Sequence, residues 1–289
     1  MVKIIETPRD GFQGLPYIIE TKKKIEYTNL LLKCGFHTVE VGSFVSPKII
    51  PQMADTAKVL NGIDLSETKS EIAVLVATEG GAKQAVTFGQ VDQIFYPFSI
   101  SSEFLKRNIN RTLEEAVVSI TNIQNLCVQH GKQLVVFFSM GFGNPYKNDT
   151  NWSIDTLSKY IDIFMNMGIT VFPFSDIFGE STPKVISNVF KSLIIEFPKA
   201  EFGFHLHSLA EQSNEKVDAA YNAGIRRFDT VLNGLGGCPQ TGKELVGNLP
   251  LGELTNYLDQ NDVVTGISSK NVEMAKQYLI NEIQNSIYS

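Results

Sequence analysis

Apolar and polar positions along the chain alternate between two rhythms, short apolar runs of strand length and longer stretches with helical spacing. Residues 2–6, VKIIE, form the first apolar run, which ends at TPRDG, where Pro8 and Gly11 are expected to break any regular pattern. A helical stretch follows to Cys34, with Gly35 placed for a left-handed helix end. HTVEVGSF then reads as a strand, QMADTAKVLNG as a helix, EIAVLVAT as a strand and EGGAKQAVTFG as a helix. VDQIFYPFSI is strand-like, and the next helix opens on a capping box from Thr112 to Glu115 and closes at Gly131. The strand KQLVVFFSM, the helix SIDTLSKYIDIFMNMG and the strand ITVFPFSD follow, then a helix with Pro183 in its first turn. EFGFHLH is the seventh strand, NEKVDAAYNAG its helix, and IRRFDTVLNG the eighth strand.

Eight strand-like runs alternating with helices at roughly 35-residue intervals have the rhythm of βα units. They predict an α/β chain folded as a (β/α)8 TIM barrel, one domain over 1–289, with residues 262–289 as an extra C-terminal helical extension. An open doubly wound sheet is the alternative, but it usually has fewer strands and leaves exposed edges. Neither a linker nor a low-complexity segment interrupts the pattern.

The length of 289 residues suits one such barrel, and 43% hydrophobic residues describe a water-soluble globular chain. The chain enters its first strand without a basic leader, so a cytoplasmic protein with no membrane segment is expected. The three cysteines, Cys34, Cys127 and Cys238, lack the spacing of a zinc knuckle or a disulfide framework and are expected to be reduced. A net charge of −6 argues against a nucleic-acid partner.

Active sites of such barrels lie at the C-terminal ends of the strands. Polar residues at those ends are few: Arg9 and Asp10 after the first strand, Glu40 and Ser43 on the second, Asp176 on the sixth, His205 and His207 on the seventh, and Asn233 on the eighth. Alternation along a strand points His205 and His207 the same way, into the barrel mouth, at a spacing right for two nitrogen ligands on one cation. A hydrogen-bonded pair of core histidines is the ordinary alternative. Asp10 supplies a carboxylate partner where the first and eighth strands of a closed barrel meet. A mixed carboxylate and imidazole set suits Mg²⁺ or Mn²⁺ better than a closed structural zinc site, and points to Lewis-acid catalysis. Glu40 is costly inside a buried strand unless paired, and Arg9 is its natural partner. RDG by itself also fits a simple Asx-type turn. The Gly-rich segment 233–248 after the eighth strand reads either as a connector or as a lid over the mouth, and it carries Cys238.

Taken together, ETPRDGFQ, VEVGSFVSPKIIPQM, KRNIN, SDIFGESTP, FHLH and GLGGCP followed by GN resemble the 3-hydroxy-3-methylglutaryl-CoA lyases, within the wider group of metal-dependent barrel lyases and condensing enzymes. The segments run from the first strand to the eighth, and SFVSPKIIPQM and GLGGCP are the most specific. The resemblance implies that Asp10, His205, His207 and Asn248 hold a divalent cation, Mg²⁺ or Mn²⁺. It implies that Arg9 stabilises the enolate of the departing acyl-CoA, that Glu40 orients Arg9, and that Cys238 is an acid on the mobile loop. Asp176 and His205 would move the proton of the tertiary hydroxyl, and Gln13, Ser43 and Asn108 would bind substrate. The implied reaction cleaves a C–C bond of an acyl-CoA to acetyl-CoA and acetoacetate, in a homodimer.

Three departures stand out. SLAEQ follows the second histidine where the family usually has an Asp-Thr pair, so Ser208 replaces a carboxylate that would orient ligands. Asn144 stands where a cysteine is common, and SDIFG replaces the usual Gly-Asp-Thr-x-Gly. These bear on the acyl part of the substrate and leave two other readings open: an acyl-CoA condensing enzyme or lyase with a different acyl substrate, and a barrel that binds a metal or ligand without turnover.

Overall fold

The computed structural model describes residues 1–143, 146, 152–236 and 246–284. Eight strands pair in sequence order and close on themselves: β1 Lys3–Glu6, β2 Thr38–Ser43, β3 Glu71–Leu75, β4 Gln93–Phe98, β5 Gln133–Phe138, β6 Val171–Asp176, β7 Glu201–Leu206 and β8 Arg227–Thr230. All eight pairings are parallel, and β1 meets β8 through four matched residues from Lys3–Arg227 to Glu6–Thr230. The barrel expected from the βα rhythm is therefore present. Closure removes the sheet edges that an open doubly wound sheet would leave.

Alternating side chains divide the lumen into layers. At the N-terminal end, Lys3 and Arg227 reach Glu201 at 2.5 and 3.6 Å, and Gln93 bridges Glu71 and Gln133. Above it, Ile5, Ala73, Phe95, Val135, Phe137 and Val171 pack together as an apolar plug. That plug separates the polar floor from the mouth, so charges at the mouth sit over a low-dielectric base.

Outside the sheet, the phenylalanine-rich strands meet the helices ring against ring: Phe138 stacks on Phe174 at 5.0 Å, and Phe98 meets Phe164 edge-on at 5.0 Å. The expected capping box from Thr112 to Glu115 is formed, and Pro183 opens the helix Pro183–Glu196. Helices Ser102–Ile109 and Leu251–Gln260 escaped the sequence pattern. The C-terminal extension is a helix, Ser269–Tyr278, continued by a wider turn, Leu279–Gln284, with Tyr278 stacked on Tyr27.

One expectation is overturned. Pro8 and Gly11 do not break the chain after β1; both lie inside a short helix, Pro8–Gln13. Pro8 occupies the first turn, where its missing N–H costs nothing. Gly11 is needed for close packing, since a Cβ there would lie 2.8 Å from the Val231 side chain. The helix sets Arg9, Asp10 and Gln13 on one face, three and four residues apart.

The seam between β1 and β8 carries a fully buried acid, Glu6. Leu232 N–H donates to its Oε1 at 2.7 Å, and Oε2 lies 3.0 Å from the Thr230 hydroxyl. Burial pushes its pKa from 4.5 up to about 8, against the opposing pull of those two hydrogen bonds. The folded chain thus keeps the proton that the unfolded chain releases above pH 4.5. Stability should fall as pH rises from 4.5 to 8, by at most about 1.4 kcal/mol per pH unit from this group. Glu6→Gln preserves the neutral hydrogen-bond pattern and should remove that slope. Urea unfolding at pH 5.5 and 7.5 checks it: the variant should gain on the native protein at the higher pH, and an equal difference at both pH values would refute it.

Candidate functional site

The C-terminal ends of β1, β2, β7 and β8 converge on one buried charged cluster. Arg9 lies at its centre. Its Nε and Nη2 each donate to one Glu40 oxygen at 2.9 Å, and its Nη1 donates to Asp10 Oδ1 and Gln13 Oε1, both at 2.9 Å. Gln13 closes the ring by donating to Asp10 Oδ1 at 2.6 Å. Glu40 sits where the β2–β3 register shifts between Glu40 and Gly42, an irregularity that re-aims a side chain. Burial pushes the Glu40 acid up to about 7, and Arg9 opposes it. Both Glu40 oxygens accept a guanidinium N–H, the hydrogen-bond pattern of the ionised acid.

Asp10, His205 and His207 bring one ligand atom each within 4.8 Å of one another, and all three are buried. Burial would raise the pKa of Asp10, but Arg9, the two histidines and the Asn248 hydrogen bond outweigh it and hold it low. His207 is pushed down to about 4 by burial and by His205, so it is neutral near pH 7, the state a metal ligand requires. Its Nδ1 is buried with no hydrogen-bond partner among the described residues. Burial lowers the pKa of His205, yet the hydrogen bond and charge of Asp229, with Asp10, raise it overall.

Asp229 is the residue the sequence reading missed. Its Oδ2 is 3.1 Å from His205 Nδ1, so only Nε2 remains free, 4.0 Å from Asp10 Oδ2. A carboxylate on one imidazole nitrogen fixes the ring and makes the other a better ligand. The pairing of His205 with Asp229 across β7 and β8 carries this contact. An acid in the middle of RFDTV, on the face shared with Arg227, was the available signal. Ser208, in contrast, turns to the chain: its hydroxyl donates to Leu209 O at 2.9 Å and its N–H to Gly247 O.

Asn248 joins the cluster from the returning end of the Gly-rich segment, where it pairs with His207 in an isolated bridge. Its Nδ2 donates to Asp10 Oδ2 and Leu235 O, both at 2.8 Å. Ligation by Asn248 needs the amide oxygen turned to Asp10, a half-turn of the side chain. Gly236 enters the same corner with φ +87, where a Cβ would stand 2.7 Å from Asp10 O. Cys238 and Asn144 lie outside the described residues. Asn233 is exposed with φ 63.

The remaining expected residues lie at or beyond the C-terminal ends of β2, β4 and β6. Asp176 ends β6, and its backbone O accepts His207 N–H at 3.3 Å. Its side chain helps line a cavity of about 200 Å³ with Met140, Phe142, Ser175, Ile177 and Phe178, none of them part of the charged cluster. Ser43 is buried at the end of β2, where its Oγ accepts Val45 N–H. Asn108 is half-buried on the helix Ser102–Ile109.

The donor set fits a divalent cation. Among the described residues, Asp10, Glu40 and Asp229 against the guanidinium of Arg9 leave two uncompensated negative charges when the imidazoles are neutral, and the orphaned His207 nitrogen supplies a ready donor. A family described as HMGL-like matches residues 1–279. The chain belongs to that family. A cytoplasmic 3-hydroxy-3-methylglutaryl-CoA lyase of Rattus norvegicus is 30% identical over 290 residues, covering 99% of this chain and 83% of the relative. The crystal structure of hydroxymethylglutaryl-CoA lyase from Pseudomonas aeruginosa superposes with a TM-score of 0.89 at 27% identity, covering all of this chain and 93% of that one. A lyase structure from Acinetobacter baumannii in complex with coenzyme A and 3-methylmalate gives 0.87 at 27% identity, over 96% of this chain and 90% of that one. The fold class of the HMGL-like chain is thus that of carbon–carbon lyases.

Replacing Asp229 with Ala in this HMGL-like protein should weaken Mn²⁺ binding about 10- to 100-fold. Isothermal titration calorimetry with Mn²⁺ measures it, and unchanged affinity would remove Asp229 from the site.

Proposed function

We propose that the protein is a divalent-metal-dependent lyase that cleaves 3-hydroxy-3-methylglutaryl-CoA, or a closely similar 3-hydroxyacyl-CoA, to acetyl-CoA and a keto acid. With the parent substrate the keto acid is acetoacetate. The observation that carries this reading is Arg9 locked between Glu40 and Asp10 beside the imidazoles of His205 and His207. Mg²⁺ or Mn²⁺ bound by Asp10, His205, His207 and Asn248 would supply Lewis-acid polarisation of the substrate oxygens.

The chain's own residues account for the rest. The tertiary hydroxyl loses its proton, the bond between the α-carbon of the thioester and the carbinol carbon breaks, and the carbinol carbon becomes a ketone. The electron pair goes to the thioester as an enolate, which a proton then converts to acetyl-CoA. Arg9 is a fixed cation for that enolate: Glu40 occupies two of its donors and prevents rotation, so no reorganisation is needed as charge develops. Gln13 holds both Arg9 and Asp10 in register.

His205 has one free nitrogen, Nε2, because Asp229 occupies the other. With Nε2 committed to a cation, the hydroxyl proton needs another acceptor, and Asp176 on the neighbouring strand is the candidate. Cys238 serves as acid toward the enolate, and Ser43 and Asn108 contribute to substrate binding. Relatives that act on hydroxymethylglutaryl-CoA, and one solved with coenzyme A and 3-methylmalate, support this substrate class. The reading extends to one catalytic domain over 1–289 that works as a cytoplasmic homodimer. Buried thiols at Cys34 and Cys127, both pushed up to about 12 by burial, suit a reducing compartment.

A panel of 3-hydroxyacyl-CoA thioesters, assayed in both directions with Mg²⁺ or Mn²⁺, tests the reading. Release of acetyl-CoA from a branched 3-hydroxyglutaryl thioester is expected, and none from any member would sink it. Arg9→Met should lower kcat by about 10²- to 10³-fold, the usual effect of removing a preorganised charge stabiliser. Calorimetric Mn²⁺ binding should survive in the same variant. Unchanged turnover would instead assign Arg9 to packing.

A further inference from the structure

We propose that Glu6 is a positioning residue for the candidate cation site: its buried carboxyl accepts the Leu232 N–H in the role of the Thr7 carbonyl, which frees that carbonyl to start the helix of Asp10 and seats residues 231–236 against that helix. The inference rests on the cation site of the lyase reading above.

A parallel ladder between β1 and β8 has a set continuation. Thr7 N–H donates to Thr230 O at 2.8 Å, and the next rung would run from Leu232 N–H back to Thr7 O. Thr7 O is taken instead by the N–H groups of Asp10 and Gly11 at 3.0 and 3.2 Å, the first bonds of the helix Pro8–Gln13. Leu232 is buried, and an orphaned N–H there is unfavourable. Glu6 Oε1 accepts it at 2.7 Å. One side chain thus replaces one rung, and the chain leaves the strand for the helix that carries Arg9, Asp10 and Gln13.

The acid does this without adding a charge to the seam, since burial keeps its proton up to about pH 8. Its Oε2 lies 3.0 Å from the Thr230 hydroxyl, which reaches Ile5 O at 3.2 Å, so the proton has an acceptor and the chain of bonds ends on β1.

Residues 231–236 pass from that rung directly onto the helix. Asn233 and Gly234 turn the chain with φ 63 and 67, so only these two residues separate the Glu6 anchor from Leu235. A Cβ on Gly11 would stand 2.8 Å from Val231 Cγ1 and 3.5 Å from Leu235 Cβ. One on Gly236 would stand 2.7 Å from Asp10 O and 3.1 Å from Asn248 Nδ2. Leu235 O in turn accepts from Asn248 Nδ2 at 2.8 Å. The backbone of Asp10 and the side chain of Asn248, both expected cation ligands, are therefore bounded by a segment whose start Glu6 fixes.

The experiment compares Glu6→Gln, Glu6→Met, Gly236→Ala and the Glu6→Met/Gly236→Ala double variant at pH 7, by thermal melting and Mn²⁺ calorimetry. Glu6→Met keeps the length but offers no oxygen, and should weaken Mn²⁺ binding about tenfold. Glu6→Gln supplies a neutral acceptor of the same length and should stay within about twofold of the native protein. Gly236→Ala pushes the segment from Asp10 at its other end and should also weaken binding, and the double variant should lose less than the two single losses combined. A lower melting temperature of Glu6→Met with native Mn²⁺ affinity would make Glu6 a packing residue of the seam and overturn the proposal. Additive losses, or a Glu6→Gln loss equal to that of Glu6→Met, would overturn it as well. If Glu6→Met fails to fold, Glu6→Ser, too short to reach Leu232, is read in its place. A native protein that binds no Mn²⁺ would sink the cation-site reading and the proposal with it, whereas native binding with unchanged variants would overturn the proposal alone.

Discussion

One guanidinium among three buried carboxylates is the constraint around which the mouth of this barrel is organised. Arg9 alone cannot neutralise Asp10, Glu40 and Asp229, and burying unpaired charge costs several kcal/mol per ion. The arrangement is stable in this form because each acid has a designated donor: Arg9 for Glu40, Arg9 with Gln13 and Asn248 for Asp10, and His205 for Asp229. Such a site gains from a divalent cation on electrostatic grounds alone. The same excess of negative charge that disfavours the folded chain provides affinity for the ion.

The barrel makes this arrangement affordable by geometry. Parallel closure in sequence order places the ends of β1 and β8 side by side, so residues more than two hundred positions apart, such as Asp10 and Asn248, meet. The apolar plug of Ile5, Ala73, Phe95, Val135, Phe137 and Val171 lies directly under the cluster. It keeps the ion pairs strong by excluding water from beneath them, and it isolates them from the separate polar network at the floor. Glu6, on the same strand as Ile5, shows the alternative solution to burial: desolvation outweighs its two hydrogen bonds and it keeps its proton up to about pH 8.

Much of this was legible in the sequence for a clear physical reason. Strand periodicity fixes the facing of His205 and His207 from spacing alone, and the βα rhythm places their strand end at a barrel mouth. Pairing of Glu40 with Arg9 followed from the cost of an unpaired buried acid. What escaped depended on contacts between strands or on short elements. Asp229 is recognised only once its register with His205 is known, because a single acid in a four-residue strand has no local signature. The helix Pro8–Gln13 is too short to show periodicity, and its proline and glycine carry turn signals that packing overrides.

Ser208 shows how such departures should be weighed. Read in the chain alone, a serine after the second histidine suggests a loss of ligand orientation. The fold removes that inference for His205, because orientation is supplied across the sheet by Asp229 rather than along the chain. Ser208 instead binds the start of the following helix and the returning Gly-rich segment through Leu209 and Gly247. Its place in the structure therefore bears on how the Asn248 end of that segment is anchored. Within the candidate cation site its influence falls on Asn248 and His207, which Gly247 adjoins, more than on His205. A carboxylate can orient an imidazole from any strand that reaches its free nitrogen, so the position of a second-sphere group in sequence is less constrained than that of the ligand it serves.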